Sequence, residues 1–257
     1  MYVLETLSEV ELSSEELSGA KDQFTAIFSQ ALQDSEVQVR VAALQAVSAF
    51  LSGIDDTAIA LSFAQILPTL VDVIVDALRN DEDQGRKALE SLCELTSAHP
   101  EVWKTESYLS KLLTVVSEIT QTTQFENGTR SAAIEVVLAL ATDMPASVRK
   151  AAETKTVLFP ALAKMLMEVS TEDDEWEAED EDKDNLATTP FATACSSISR
   201  LCNDLGEKTT LASCQPIIVE LVRSADDQNK RQAGLTLLGL IADTCKESFA
   251  KNLSEAL

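Results

Sequence analysis

An all-α fold built from repeated helix pairs is what this sequence predicts, and three observations carry the prediction. Leu, Ala, Glu, Val and Ser dominate the 257 residues, whereas seven glycines and six prolines are too few for a turn-rich sandwich or barrel. Apolar residues recur at steps of three and four, the stripe of a helix with one buried face. No segment alternates with period two, so no strands are expected.

The chain also repeats itself. Arg40, Arg86 and Arg130 each open an apolar helix, at spacings of 46 and 44 residues, and Arg231 opens another. Placing a missing anchor at Ala192 divides the remaining distance into steps of 62 and 39 residues, and the long step contains an insertion. A small residue near the start of each helix would let two backbones approach closely. Two residues past each anchor stands an alanine, at Ala42, Ala88, Ala132, Ala194 and Ala233.

Each of these helices follows another helix, and three of the leading helices carry a proline, at Pro68, Pro160 and Pro216. Pro68 and Pro160 are expected to bend their helices or to mark a broken first turn. Asp and Asn in the polar turns between paired helices are expected to cap the helix that follows. The leading helices are predicted near residues 24–32, 63–78, 108–120, 157–169 and 216–223.

Helix pairs that repeat at this period are typical of HEAT or armadillo arrays, in which neighbouring pairs stack into one continuous core. We therefore predict an all-α HEAT-repeat α-solenoid, a right-handed superhelix of antiparallel helix pairs with about five repeats, truncated at both ends. A single array is expected to span residues 1–257. Its repeats are placed at 21–54, 57–104, 106–152, 155–213 with an acidic loop at 171–185, and 214–250.

The insertion carries a run of negative charge. Between Glu172 and Asp184, ten of thirteen residues are carboxylates. Such a block repels itself, cannot pack and stays solvated, so it is expected to extend from the helical body. A solubilising loop would account for the charge but not for Trp176, whose ring gains only by burial. Trp176 is expected either to dock on the helices of its own loop or to meet a partner.

Composition excludes several classes of function. The formal charge of −23 argues against direct nucleic-acid binding and favours basic partners. No apolar run approaches the ~20 residues of a membrane span, and the first residues do not read as a signal peptide. Five cysteines without metal-ligand spacing predict reduced, buried thiols in the cytosol or nucleus. His99 is the only histidine, so no catalytic pair, cofactor or metal site is expected.

Several segments resemble the importin-β (karyopherin-β) family, most closely its β3-type import receptors. They include FAQILPTLVDVI at 63–74, SAAIEVVLALATDMPASVRK at 131–150, and the acidic loop with its embedded Glu-Trp pair. The resemblance continues in LGEK at 205–208 and in KRQAGLTLLGLIADTCKESF at 230–249. Where β3-type members usually carry Gly-Gly-Lys after the loop, this chain has Gly206-Glu207-Lys208.

The resemblance implies a non-enzymatic, monomeric receptor that shuttles between cytoplasm and nucleus. It implies capture of basic cargo segments on a concave face and release when Ran-GTP binds the full-length protein, with nucleoporins as further partners. The alternative is a HEAT-repeat scaffold such as a phosphatase regulatory subunit, although those have regular repeats of about 39 residues and no long acidic insertion. The residues implied to contact Ran or basic cargo are Glu172, Asp173, Asp174, Glu175, Trp176, Glu177, Glu179, Asp180, Glu181, Asp182 and Asp184.

Overall fold

The structure, a computed structural model, describes residues 14–168 and 189–249. Every regular element within these two ranges is helical, which confirms the predicted all-α class. In the same ranges, no helix combines the length and the apolar character that crossing a bilayer requires.

The helices form two compact units. One unit ends at Val116 and also includes Glu135–Met144, and the other comprises Ser117–Ile134 and the residues from Pro145 onward. The first unit contains α1 (Ser14–Ala31), α2 (Val37–Ser52), α3 (Thr57–Ser62), α4 (Leu67–Asn80) and α5 (Glu82–Ala98), with 3-10 turns at Ala64–Ile66 and Pro100–Lys104. Two further helices, α6 (Glu106–Gln121) and α7 (Asn127–Asp143), contribute residues to both units. The second unit adds α8 (Pro145–Lys150), a π-helical turn at Thr154–Leu158, α9 (Phe159–Met165), α10 (Pro190–Val222) and α11 (Gln228–Ala242).

Helices that follow one another along the chain pack against one another. In the first unit, α2 packs against both α4 and α5. Phe28 of α1, Phe50 of α2 and Phe63, which directly follows α3, also meet edge to face, with ring centroids 5.3, 5.7 and 6.4 Å apart, an arrangement that the ring quadrupoles favour. In the second unit, α10 packs on both α9 and α11. This is the contact pattern that stacked helix pairs require.

Proline marks an interrupted start in two of the leading helices, as predicted. Pro68 lies in the first turn of α4, directly after the separate 3-10 turn at Ala64–Ile66. Pro160 lies in the first turn of α9, directly after the π-helical turn at Thr154–Leu158. Because proline has no N–H to donate to the preceding turn, a regular α-helix restarts at each of these points.

Turn carboxylates cap two of the helices that follow. Asp81 and Asp227 accept hydrogen bonds from backbone N–H groups in the first turns of α5 and α11, at 3.2 and 3.0 Å. The capping prediction is confirmed at these two turns. Before α2 it is wrong, because Asp34 bonds instead to the N–H of Glu36, and Glu36 occupies the cap position without a side-chain bond.

In two repeats the buried alanine lies one residue later than the aligned arginines predict. In α5, α10 and α11 the predicted alanines are fully buried. In α2 and α7 the buried residues are Ala43 and Ala133, whereas Ala42 and Ala132 are half-buried. A long arginine side chain can reach the same backbone groups from adjacent helix positions, so it does not fix the register. Counted from the buried alanines, the first two repeat steps are both 45 residues.

Gly206 divides α10 into two helical arms. Its φ of 74° and ψ of 168° lie in a region that is essentially restricted to glycine. The second arm runs from Glu207 through Pro216 to Val222, so it begins well before the start predicted near residue 216. The prediction of that helix start was therefore wrong. The interruption of the helix occurs at Gly206, and Pro216 is accommodated within the second arm.

Candidate functional site

The acidic run predicted to bind partners, Glu172–Asp184, lies outside the described residues. It belongs to a segment of roughly twenty residues, 169–188, which is called the acidic segment below. The structure describes both flanks of this segment, up to Glu168 on one side and from Thr189 on the other. The base from which the segment leaves the second unit can therefore be described residue by residue.

Arg130 holds the flank that precedes the acidic segment. Its Nη1 and Nη2 donate to the two carboxylate oxygens of Glu168 at 2.7 and 2.6 Å, and its Nε donates to the carbonyl of Thr120 at 2.7 Å. The Arg130 side chain is 2% exposed and that of Glu168 is 26% exposed. Two parallel charge-assisted bonds fix orientation as well as distance. The last described residue before the acidic segment is thus held in place.

Two threonines hold the flank that follows the segment. Thr189 caps α10 by accepting a hydrogen bond from the N–H of Ala192 at 3.2 Å. One turn later, Oγ1 of Thr193 accepts a bond from Nδ2 of Asn127 at 3.1 Å and lies 3.3 Å from Oγ of Ser131. The helix after the acidic segment therefore starts at a defined residue and is bonded to the first turn of α7.

The spacing along α7 explains why one turn reaches both flanks. Asn127, Arg130 and Ser131 are separated by steps of three and one, so they share one side of the helix. Ile134, the next residue on that side, is 1% exposed. The polar first turn is therefore the start of the stripe that α7 buries, and its side chains meet the flanks.

The carboxylate partners of the anchor arginines were not found from the sequence. Arg40 donates to the carbonyl of Asp34 at 2.7 Å and also lies 3.4 Å from a carboxylate oxygen of Asp76, 36 residues further on. Arg130 and Glu168 are 38 residues apart. In both pairs an arginine at the start of one helix meets an acid in the leading helix of the next pair or just beyond it. A search for acids at this separation would have found both partners.

Three thiols are buried near the bend at Gly206. Cys202 and Cys214 lie on the two arms of α10, and the hydrogen bond between them, together with burial, raises the pKa of the Cys214 thiol. Burial raises the pKa of Cys245 to about 11, and its Sγ lies 3.9 Å from the carbonyl of Glu207. All five cysteines of the chain are free. The predicted burial of the thiols is confirmed for these three.

His99 is a buried structural group. Its Nδ1 lies 3.1 Å from Oε1 of Glu101, and the two side chains are 7% and 16% exposed. Burial acts to raise the pKa of Glu101. Hydrogen bonds from its own backbone N–H, from His99 and from Thr57, with the charge of His99, outweigh burial and lower that pKa below its ordinary value of 4.5.

Replacing Glu101 with glutamine is expected to remove a pH-dependent part of the stability. A carboxylate whose folded pKa is lowered contributes stability that is fully present above its unfolded pKa of 4.5 and is lost as the pH falls through the folded pKa. Urea titrations followed by circular dichroism at about pH 5 and about pH 3 should show the wild type losing its advantage over Glu101→Gln. An advantage that is equal at the two pH values would contradict the direction of the pKa.

The fold and the base of the acidic segment define a class: an α-solenoid of stacked helix pairs with an acidic insertion. A family model described as "IPO5-like, TPR repeats" matches residues 2–115, and a second, described as "Importin repeat", matches residues 122–212. The chain belongs to the importin-β (karyopherin-β) family, because these two models together cover most of it. Membership in this family argues against the alternative interpretation, a HEAT-repeat scaffold of the phosphatase-regulatory type.

Solved structures of Kap121p share the fold. Kap121p bound to Pho4p is 19% identical over 99% of this chain with a TM-score of 0.82, and Kap121p bound to Nup53p is 19% identical over 100% with a TM-score of 0.79. A further Kap121p structure is 18% identical over 99% of this chain, with a TM-score of 0.79. This chain spans 25%, 26% and 26% of those chains. At such identity the likeness establishes the karyopherin-type HEAT solenoid and no shared function.

Proposed function

We propose that this chain is part of a nuclear import receptor that binds basic segments of cargo without covalent chemistry and releases them under the control of Ran-GTP. The observation that carries the proposal is the run of ten carboxylates in thirteen residues, placed within importin-family repeats. A dense negative charge attracts Lys- and Arg-rich segments and accelerates their encounter. The receptor would shuttle between cytoplasm and nucleus as a monomer.

The strength of such binding follows from the charges. Ten acids and one lysine give the run a formal charge of −9, and the whole chain carries −23. Each exposed ion pair contributes about 0–1 kcal/mol and is weakened by salt. Capture therefore needs many simultaneous contacts, and release stays reversible, as a carrier requires.

The solved structures of Kap121p are consistent with a receptor that has more than one kind of protein partner. Kap121p has been solved bound to Nup53p and bound to Pho4p, so a protein of this fold binds several others. For this chain we propose basic cargo proteins and, in the full-length receptor, Ran-GTP and nucleoporins. The acidic segment is proposed as the contact with basic cargo or with Ran.

Neutralising four acids of the run is expected to weaken binding of a lysine-rich peptide about tenfold at low salt, because several screened contacts are lost together. The measurement is fluorescence anisotropy of the labelled peptide with the full-length receptor. The same assay with GTP-loaded and GDP-loaded Ran as competitors should show displacement by the GTP form. The four substitutions are Asp173→Asn, Asp174→Asn, Glu175→Gln and Glu177→Gln.

The control changes the net charge by the same amount elsewhere. Four exposed acids near the end of the described chain serve this purpose, since they lie on or beside α10 and α11. Their neutralisation should leave peptide affinity within about twofold of the wild type. Equal weakening by both sets would show that overall charge, and not the run, attracts the peptide. The control substitutions are Glu220→Gln, Asp226→Asn, Asp243→Asn and Glu247→Gln.

A further inference from the structure

Two stretches of the second unit, residues 145–158 and 205–211, reverse the charge balance of the chain. Together they hold four basic residues and two acidic ones, whereas the whole chain holds 20 basic and 43 acidic residues. All four cations are exposed. They are called the basic cluster below and comprise Arg149, Lys150, Lys155 and Lys208.

Contacts within the second unit bring the two stretches together. Both α8 and the π-helical turn pack on α10. Nη1 of Arg149 lies 3.5 Å from the carbonyl oxygen of Leu205, the residue before the bend at Gly206. Lys208 follows directly after the bend, as the second residue of the second arm. Arg149 and the start of that arm are therefore neighbours.

Rare backbone conformations place two of the cations. Lys155 lies in the π-helical turn, and the hydroxyl of the fully buried Thr154 ties this turn to α8 by donating to the carbonyl of Val148 at 2.6 Å. Lys208 lies beside Gly206, whose φ is 74°. Single π-helical turns and residues in sparsely populated backbone regions concentrate at functional sites. The cluster combines one of each.

The cations of the cluster are not used by the fold as ion pairs. In the two ranges that the structure describes, none of the four pairs with a carboxylate, whereas Arg40 and Arg130 each do. Glu207 is the acid next to Lys208, and its Oε1 accepts a hydrogen bond from the N–H of Ser248 at 2.8 Å. Cations left unpaired in so acidic a chain are available to a partner.

Helix electrostatics do not account for two of these lysines. Lys208 lies in the first turn of the second arm, and Lys155 lies near the start of the helical segment that continues into α9. The N-terminal end of a helix carries partial positive charge, so a cation there is unfavourable. Arg149 and Lys150 differ, because they end α8, where the dipole favours a cation. An anion bound at the cluster would offset the unfavourable placement of Lys155 and Lys208.

We propose that the basic cluster binds a segment of a partner protein that is rich in Asp and Glu, a contact of opposite sign to the capture of basic cargo. At 0.1 M salt, charges interact over about 10 Å, so the cluster acts locally although the whole chain repels anions. Exposed ion pairs are individually weak, so several must form together. The bonds that hold the backbone of the cluster reduce the ordering cost of binding. A nucleic acid would meet the repulsion of the whole chain along its length.

Two measurements on the full-length receptor with a labelled glutamate-rich peptide at 0.1 M salt test this site. A carbodiimide joins lysine amines to the carboxylates they contact, so mass spectrometry should find the peptide attached at Lys150, Lys155 and Lys208. In fluorescence anisotropy, Lys150→Gln combined with Lys155→Gln should weaken peptide binding about five- to tenfold, because two of the four contacts are lost. Lys150→Arg combined with Lys155→Arg keeps both charges and should stay within about twofold of the wild type.

Arg223→Gln combined with Lys230→Gln is the matched control. It removes the same charge from the same unit, at the turn between α10 and α11, which is the other end of the second arm from Gly206. It should leave affinity for the glutamate-rich peptide within about twofold of the wild type. Equal weakening by both double variants, or attachment of the peptide at lysines outside the cluster, would overturn the site. Tighter binding of a single-stranded RNA than of the peptide would overturn the choice of partner.

The same variants separate this site from the proposed function. Affinity for a lysine-rich peptide should not fall in Lys150→Gln with Lys155→Gln, because these lysines repel a basic partner. A receptor that binds the glutamate-rich peptide at the cluster and fails to bind the lysine-rich peptide would support the site and contradict the capture of basic cargo. The reverse result would overturn the site and leave the proposed function standing.

Discussion

Replacing Trp103 with alanine is expected to lower the free energy of unfolding by about 3–5 kcal/mol, the cost of emptying a large buried aromatic site. Trp103 is 0% exposed and lies in the 3-10 turn Pro100–Lys104, which packs against α5 and α3. Its Nε1 donates to Oγ1 of Thr96 at 3.2 Å, so the indole fills the site and also satisfies a buried hydroxyl. Urea unfolding followed by far-ultraviolet circular dichroism measures the loss.

A second variant separates packing from the hydrogen bond. Thr96→Val removes the acceptor at nearly constant volume and leaves the indole N–H unpaired, which costs about 1–3 kcal/mol. Trp103→Ala should therefore be the more damaging change. A loss below about 1 kcal/mol for Trp103→Ala would mean that the turn does not depend on the ring for its attachment.

The role of Trp103 was within reach of sequence reasoning because its context is local. A tryptophan in a short loop between two apolar helices can bury its ring only by packing against those helices. The helix pairs were predictable for a similar reason, since a buried stripe repeats along each helix and the pairs repeat along the chain. The buried alanine was predicted one residue too early in α2 and α7, because its position was counted from Arg40 and Arg130. The long arginine side chains tolerate a shift of one residue along the helix, whereas the buried positions of Ala43 and Ala133 do not.

The base of the acidic segment could not be predicted in the same way. The pairing of Arg130 with Glu168 joins residues 38 apart, and it depends on how successive pairs stack. Nothing in the local sequence distinguishes Glu168 from other acids near it, and only its separation from Arg130, close to that of Asp76 from Arg40, could have found it. The bond from Asn127 to Thr193 spans 66 residues, including the whole insertion, so no repeat spacing predicts it. The carboxylates of the run, outside the described residues, remain a prediction from charge and family resemblance.

Gly206→Ala is expected to destabilise the second unit by about 1–3 kcal/mol through backbone strain alone. With φ at 74° and ψ at 168°, Gly206 adopts a conformation that side chains with a Cβ rarely enter. Apart from the adjoining backbone, no atom lies within 4 Å of where a Cβ would stand, so crowding by other parts of the fold contributes nothing. Relief of the strain would straighten the bend and separate Cys202 from Cys214. Faster reaction of these buried thiols with a thiol reagent should therefore accompany the loss measured by urea unfolding.

Gly239→Ala is the matched control for Gly206→Ala. Both glycines leave room for a Cβ, and they differ only in backbone conformation. Gly239 is exposed within α11, has no positive φ, and likewise has no atom within 4 Å of the place that a Cβ would take. Alanine there should stabilise the helix by about 0.5–1 kcal/mol, since glycine loses more backbone freedom on folding. The two substitutions should thus shift stability in opposite directions. A stabilising Gly206→Ala would show that the bend is not held by this glycine and that the two arms of α10 can join into one continuous helix.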